Sequence, residues 1–345
     1  MLQIGIISFA HMHAYSYADA IRQLPGVTLV CIADEDEARG RAAAEQFGAE
    51  WTSDYRELLS RPLDAVIVTS ENVRHCEHVL AAAEAGKHVL CEKPLATNEA
   101  DGLRMIEACR NHGVRLQTAF PVRFVSPVIA AKRAVERGEI GTLLAAKGTN
   151  RGKFPSGWFT DPALSGGGAL LDHTVHVTDL LRWISGMEVR EVYAEAGYGK
   201  FADTQIDDCG LLTLTFDNGM FATIDCSWSR NENYPTWGDI TLELIGTKGS
   251  LTLDAFAQQV RVFEAKGEQW LSWGDNMDLE LIRDFTDSLR IGREPSVTGE
   301  DGLQAARVAF AAYESVHKGG PIPLKEVAKQ IEGAKQHERK EETAE

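Results

Sequence analysis

Six cysteines are scattered through the 345 residues without one Cys-x-x-Cys pair, so neither a zinc ribbon nor a disulfide framework can be read from their spacing. Reduced thiols in a cytoplasmic compartment are the expectation. The chain opens on an apolar strand pattern, with no basic leader and hydrophobic stretch ahead of it. No apolar run approaches the roughly 20 residues that cross a bilayer, so neither secretion nor membrane insertion is expected. Positive charge is in deficit too: a net charge of -16 works against nucleic acid and anionic membranes as partners. What remains is a small-molecule ligand. No internal repeat is present.

The 44% apolar and 25% charged residues are those of an ordinary globular protein, and the length suits two domains. Up to about Phe120, the runs "LQIGIIS", "VTLVCIAD", "DAVIVTS", "HVLCEKP" and "VRLQTAF" alternate with segments of helical period. They are apolar almost throughout, as strands covered on both faces are, which predicts a doubly wound parallel sheet of the Rossmann kind over 1–121. Two helices follow, "SPVIAAKRAVERGEIG" and "GGALLDHTVHVTDLLRWISG". From Val189 to about Phe263 alternating strands dominate. The expected fold is therefore α/β, with a second α+β domain over 122–330 built on a large, mostly antiparallel open sheet. Closing helices at 278–291 and 300–318 are expected to pack back on the first domain, and 331–345 reads as a charged tail.

The first strand-to-helix turn, "GIISFAHMHAYSYADAI", stands where unpaired backbone N–H groups would meet a pyrophosphate. Its glycine fingerprint is depleted, with Ser8, Ala10 and His13 at the positions that call for small residues. Ser8 and Ala10 still permit a close approach. Asp34, ending the second strand, lies at the range of a carboxylate that binds an adenosine ribose. The acidic Glu35 and Asp36 beside it favour NAD over NADP; the alternative role for Asp34 is to cap the next helix. His11 and His13 line the nicotinamide or substrate end, or only pack. A metal set of His11, His13, Asp172, His173 and His176 is the further alternative.

Glu92, Lys93 and Pro94 end a buried strand, where a lysine would project toward the cleft. In "GGGALLDHTVHVTDLL", Asp172, His176 and Asp179 share one helical face, and a carboxylate with an imidazole suits proton transfer. A polar face that simply meets water is the other reading. Arg123, Arg151, Lys153, Trp158 and Trp237 stand in expected loops that could grip or stack on a substrate, with His13 and His173 beside them.

With "EAGKHVLCEKPLA" at 84–96, "GGGALLDHTVHVTDLL" at 166–181 and "LIGTKGSLTLD" at 244–254, the chain resembles the glucose-fructose oxidoreductase and inositol dehydrogenase (Gfo/Idh/MocA) family. The resemblance runs from the first strand to about Leu324. It implies a catalytic set of Lys93, which contacts the reacting hydroxyl and the nicotinamide, with Asp172 and His176, which position and deprotonate the substrate. It implies an NAD site of Ser8, Phe9, Ala10, His11, Met12, Asp34, Thr69, Ser70, Glu71, Asn72, His75, Glu92 and Lys93. It also implies a homodimer or homotetramer through the open sheet. Two departures stand out: the turn poor in glycine, and "DHTVH", where relatives have glycine in place of Thr174 and no histidine before it. The expected reaction is NAD-dependent, reversible oxidation of a secondary hydroxyl of a sugar or polyol. Two alternatives come from other classes: a metal-dependent or NAD-recycling lyase or hydrolase, and a regulator that binds without turnover.

Overall fold

The computed structural model describes residues 1–324 apart from residue 266, so the charged tail expected at 331–345 lies outside the described residues. The first sheet contains β1 (Leu2–Ile7), β2 (Val27–Ala33), β3 (Glu50–Thr52), β4 (Ala65–Val68), β5 (His88–Cys91) and β6 (Leu116–Thr118). All its pairings are parallel, in the order β3-β2-β1-β4-β5-β6. The order reverses between β1 and β4, which opens a crevice at their carboxyl ends. β4 is buried at every residue, as its unbroken Ala-Val-Ile-Val run demands. The covering helices are α1 (His13–Gln23), α2 (Glu37–Phe47), α3 (Tyr55–Leu59), α4 (His75–Glu84) and α5 (Glu99–Asn111). Only the short β3 escapes the sequence pattern.

After α6 (Ser126–Glu136) comes a second sheet of β7 (Leu143–Thr149), β8 (Val189–Tyr198), β9 (Asp207–Phe216), β10 (Phe221–Asp225), β11 (Thr241–Gly246), β12 (Gly249–Asp254) and β15 (Ile322–Pro323). Its order is β12-β11-β7-β10-β9-β8-β15; β10 and β7 run parallel and every other pair is antiparallel. One face packs on α8 (Ala169–Ser185), which follows the short α7 (Pro162–Ser165), and the other stays open, with Leu211 and Phe221 more than half exposed. Two expectations need correction. β7 lies inside this sheet, between β11 and β10, although "LLAAKGT" is poor in the branched and aromatic residues that mark strands. "QVRVFEA" does not join the sheet: β13 (Gln259–Glu264) pairs only with β14 (Gly267–Ser272), as a separate hairpin.

The closing helices return to the first sheet. α9 (Met277–Ile291) packs on α1, and its Leu281, Ile282 and Phe285 join the core around Ile4, Ile6 and Tyr17. α10 (Gly299–Lys318) runs between α8, β8 and α5.

Candidate active site

Three elements bring the chemistry together: the β1–α1 turn, the end of β5, and the start of α8. In the turn, Ser8 takes the left-handed backbone conformation (φ 72°) that the missing glycine would have supplied. Its Oγ accepts the Ala10 N–H at 3.1 Å, so a serine performs the turn at some steric cost. Phe9 donates its N–H to Asp34 Oδ2 at 2.7 Å and buries its ring against Tyr15 and Phe47. Met12 is exposed in the turn.

The α8 N-terminus is set by glycines. At Gly168 a Cβ would meet the Asp207 carbonyl oxygen at 2.0 Å, and this closeness lets Asp207 accept the N–H groups of Gly168 and Leu170 at 3.1 and 2.8 Å. Asp172 is thereby aimed at Lys93, whose Nζ lies 2.5 Å from Asp172 Oδ1. Asp172 Oδ2 accepts from the Trp228 indole at 3.3 Å and stands 3.2 Å from His173 Nε2. Burial alone would raise the Asp172 pKa; Lys93 and His173 instead hold it well below the usual carboxylate range. His173 Nδ1 also faces the Cys226 carbonyl at 3.2 Å, and burial lowers the pKa of this ring.

His176 lies one turn further along α8, edge-on to Phe120 at 5.8 Å. Burial, and then Lys93, push its pKa well below the ordinary value. Its buried Nδ1 finds no hydrogen-bond partner among the described residues. The carboxylate of Asp172 thus serves Lys93 rather than the His176 ring. The α8 face is largely shielded from water: His176 and Asp179 are both buried.

Under the turn, His13 Nδ1 is 3.0 Å from Glu92 Oε1, which also accepts from Tyr17 Oη. Glu92 Oε2 takes the Lys93 N–H at 3.0 Å. Burial would raise the Glu92 pKa, yet His11, His13 and Lys93 keep it far below its usual range. Burial lowers His11 to about 3, whereas His13 is raised by Glu92 against its own burial. One donor atom each from His11, His13 and Glu92 lies within 4.8 Å of the others. The five-residue metal set that the sequence offered as an alternative does not converge among the described residues: His11 and His13 lie with Glu92, while Asp172 pairs with both Lys93 and His173.

Asp34 is buried and does not cap α2; Asp36 does, accepting the Arg39 N–H at 3.0 Å. Both Asp34 oxygens are engaged, by the N–H groups of Phe9 and Asp36 and by Arg39 at 2.8 and 2.7 Å. Glu35 is bonded to Arg74 at 2.6 Å. Ser8, Asp34, Arg39, Tyr55, Glu71 and Arg74 are among the residues lining a groove at the carboxyl ends of β1 and β2. Thr69 Oγ1 donates to the Ser8 carbonyl at 2.7 Å, and Ser70 Oγ meets His78 Nδ1 at 2.9 Å. Asn72 donates to the Ser165 carbonyl at 2.9 Å, tying this wall to α7. His75 is fully buried between the carbonyls of Pro94 and Ser70, so it braces the wall.

Several residues expected at the substrate do other work. Arg123 is buried in a two-pronged pair with Asp179 and also donates to the Ser296 carbonyl at 2.9 Å; it is a strut. Arg151 is held by Asp239 at 3.0 Å. Lys153 bonds the Trp237 carbonyl through its backbone N–H. Trp158 stacks on Phe159 at 3.9 Å and donates to the Ala10 carbonyl at 3.1 Å, so it covers the nucleotide turn. Trp237, half exposed, does stand beside His173 at 5.9 Å.

Four residues of the site escape sequence reasoning: Tyr17, Arg39, Trp228 and Asp278. Tyr17 carried a local signal, since it lies one helical turn beyond His13 on α1. Trp228 and Asp278 arrive by tertiary folding and carried none.

Residues 2–120 match the oxidoreductase family with an NAD-binding Rossmann fold, and residues 128–252 match the GFO/IDH/MocA C-terminal domain. The chain is 35% identical to the uncharacterized oxidoreductase YrbE of Bacillus subtilis, over 90% of this chain and 93% of that one. It is 33% identical to myo-inositol 2-dehydrogenase of Thermotoga maritima, over 94% and 99%. A levoglucosan dehydrogenase solved with NADH and levoglucosan superposes with a TM-score of 0.81 at 26% identity, over 94% of this chain and 100% of that one. With both halves matched, in order, by the two family domains, this chain belongs to the Gfo/Idh/MocA family of NAD-binding oxidoreductases.

Proposed function

We propose that this protein is an NAD-dependent dehydrogenase that reversibly oxidises a secondary hydroxyl of a sugar, polyol or related small molecule. The observation that carries the reading is the contact between Lys93, just beyond the carboxyl end of β5, and Asp172, at the start of α8, which joins two distant stretches of chain. Relatives named for myo-inositol, scyllo-inositol and levoglucosan support the substrate class.

The residues present fit NAD. Ser8 keeps the left-handed turn, and the groove beside it has Asp34 as its acidic floor. Asp34 would take the adenosine ribose, with Arg39 yielding one of its bonds. Thr69, Ser70 and Glu71 would flank the cofactor, and Met12 would pack on it from the turn. When bound, NAD supplies the hydride acceptor.

The protein's own part is proton handling. His176, neutral because it is buried beside a lysine, accepts the hydroxyl proton. Lys93, steered by Asp172, donates a hydrogen bond to the oxygen as it becomes a carbonyl. His173 and Trp228 hold Asp172 in place, and Trp237 borders the substrate end.

The reading extends to organisation. Residues 1–121 would be the nucleotide domain and 122–330, described to Leu324, the substrate domain, and the open face of the second sheet, where Leu211 and Phe221 are exposed, would join copies into a dimer or tetramer. Six free cysteines, five of them buried, suit the cytoplasm. Among the described residues no helix is long and apolar enough to cross a membrane. The test is NADH formation by purified protein across a panel of inositols, anhydrosugars and aldoses, with NADP in parallel. Turnover of one class with NAD as the better cofactor is expected; binding of NAD without turnover of any member refutes the proposal.

A further inference from the structure

The geometry points to a site for a divalent transition metal, formed by His11, His13 and Glu92 under the β1–α1 turn. Two imidazoles and one carboxylate are the donor set that zinc, manganese, cobalt and ferrous iron share, and that magnesium and calcium do not favour. The donors converge within 4.8 Å. Ligands each about 2.1 Å from one metal stand roughly 3.0 to 3.4 Å apart, and the His13 Nδ1 to Glu92 Oε1 separation is already 3.0 Å. A contraction on the order of 1 Å completes the set.

A further carboxylate borders the cluster. Asp278, at the start of α9, faces Ser16 and stands near His13 and Glu92, and its Oδ1 is buried. The outer shell is built as well: Tyr17 fixes one Glu92 oxygen, the Lys93 N–H fixes the other, and Trp158 and Phe159 pack around the His11 ring. A metal ion replaces the proton shared by His13 and Glu92. Three protein ligands leave positions for an oxygen ligand beside Lys93.

The experiment uses full-length protein stripped with chelator and titrated with Zn²⁺ and Co²⁺, without substrate, so its outcome does not depend on the dehydrogenase reading. Expected are one equivalent of Zn²⁺ bound and a visible ligand-field band with Co²⁺. His13→Gln and Glu92→Gln should each weaken binding by about a hundredfold or more, whereas His173→Gln should leave it unchanged. His13→Gly, which restores a small residue to the turn, gives the same reading should the glutamine variants fold poorly; circular dichroism checks this. Substoichiometric binding by the wild type overturns the proposal. So does binding that survives in His13→Gly and Glu92→Gln, or that is lost in His173→Gln.

Discussion

Two carboxylates on α8, two turns apart on one face, each meet a cation from the preceding part of the chain, and the two pairs do opposite jobs. Asp179 takes both prongs of Arg123, which also bonds Ser296 and lies 5.4 Å from the Trp183 ring. The Arg123 and Asp179 side chains are 4% and 1% exposed, so the pair is sealed. Asp172 meets Lys93 through one oxygen, shares the other with Trp228 and His173, and keeps 14% of its side chain in solvent. Arginine's planar fork suits a fixed brace, and lysine's point charge on a flexible stem suits a partner that exchanges. A buried ion pair on a helix face is thus a site only when one partner can still be offered elsewhere.

The comparison is broken or sharpened first at Lys93. Lys93→Ala should lower kcat with the preferred substrate by about 10² to 10⁴. Asp172 retains Trp228, His173 and some solvent, so urea unfolding should show a smaller loss of stability than at Arg123. Arg123→Ala leaves Asp179 buried without its cation, and should cost about 3–5 kcal/mol in the same measurement while kcat per folded molecule stays near wild type. A reversal of these two outcomes would exchange the roles of site and strut.

Acid should separate buried rings in the same manner. Burial lowers both His11, in the turn, and His78, under Ser70, to about 3. The unfolded chain therefore takes up a proton at each between pH 6.5 and 3, and stability is full above that window and falls as pH drops through it. Each ring contributes a slope of about 1.4 kcal/mol per pH unit. His78→Gln should remove one ring's share of that slope in a pH series of unfolding curves. The smallest effect belongs to Ser8→Gly. Relief of the left-handed conformation, set against loss of the bond to Ala10, should give a net gain below about 1 kcal/mol in thermal unfolding.

What the sequence disclosed follows from the range of the signal. The parallel strands were legible because burial on both faces leaves unbroken apolar runs, as in Ala65–Val68. Lys93, Asp172 and His176 were singled out by position at a strand end and on a helix face. The β7 strand was not, since Leu-Leu-Ala-Ala-Lys-Gly-Thr becomes a strand only through its neighbours β10 and β11. Arg123 read as a ligand-gripping loop residue because nothing local announces Asp179, 56 positions away. His13 and Glu92 were each noticed, but their meeting across 79 positions is a product of the tertiary fold.

The return of α9 to α1 also limits how the molecule can be recombined. Leu281, Ile282 and Phe285 fill the core beneath β1, so a fragment cut after residue 121 would leave that surface bare. Swapping substrate specificity between relatives calls for joints ahead of α6, ahead of α9 and between α9 and α10, because α10 and β15 belong to the second core while α9 belongs to the first, and a chimera with a single crossover would come apart at its seam.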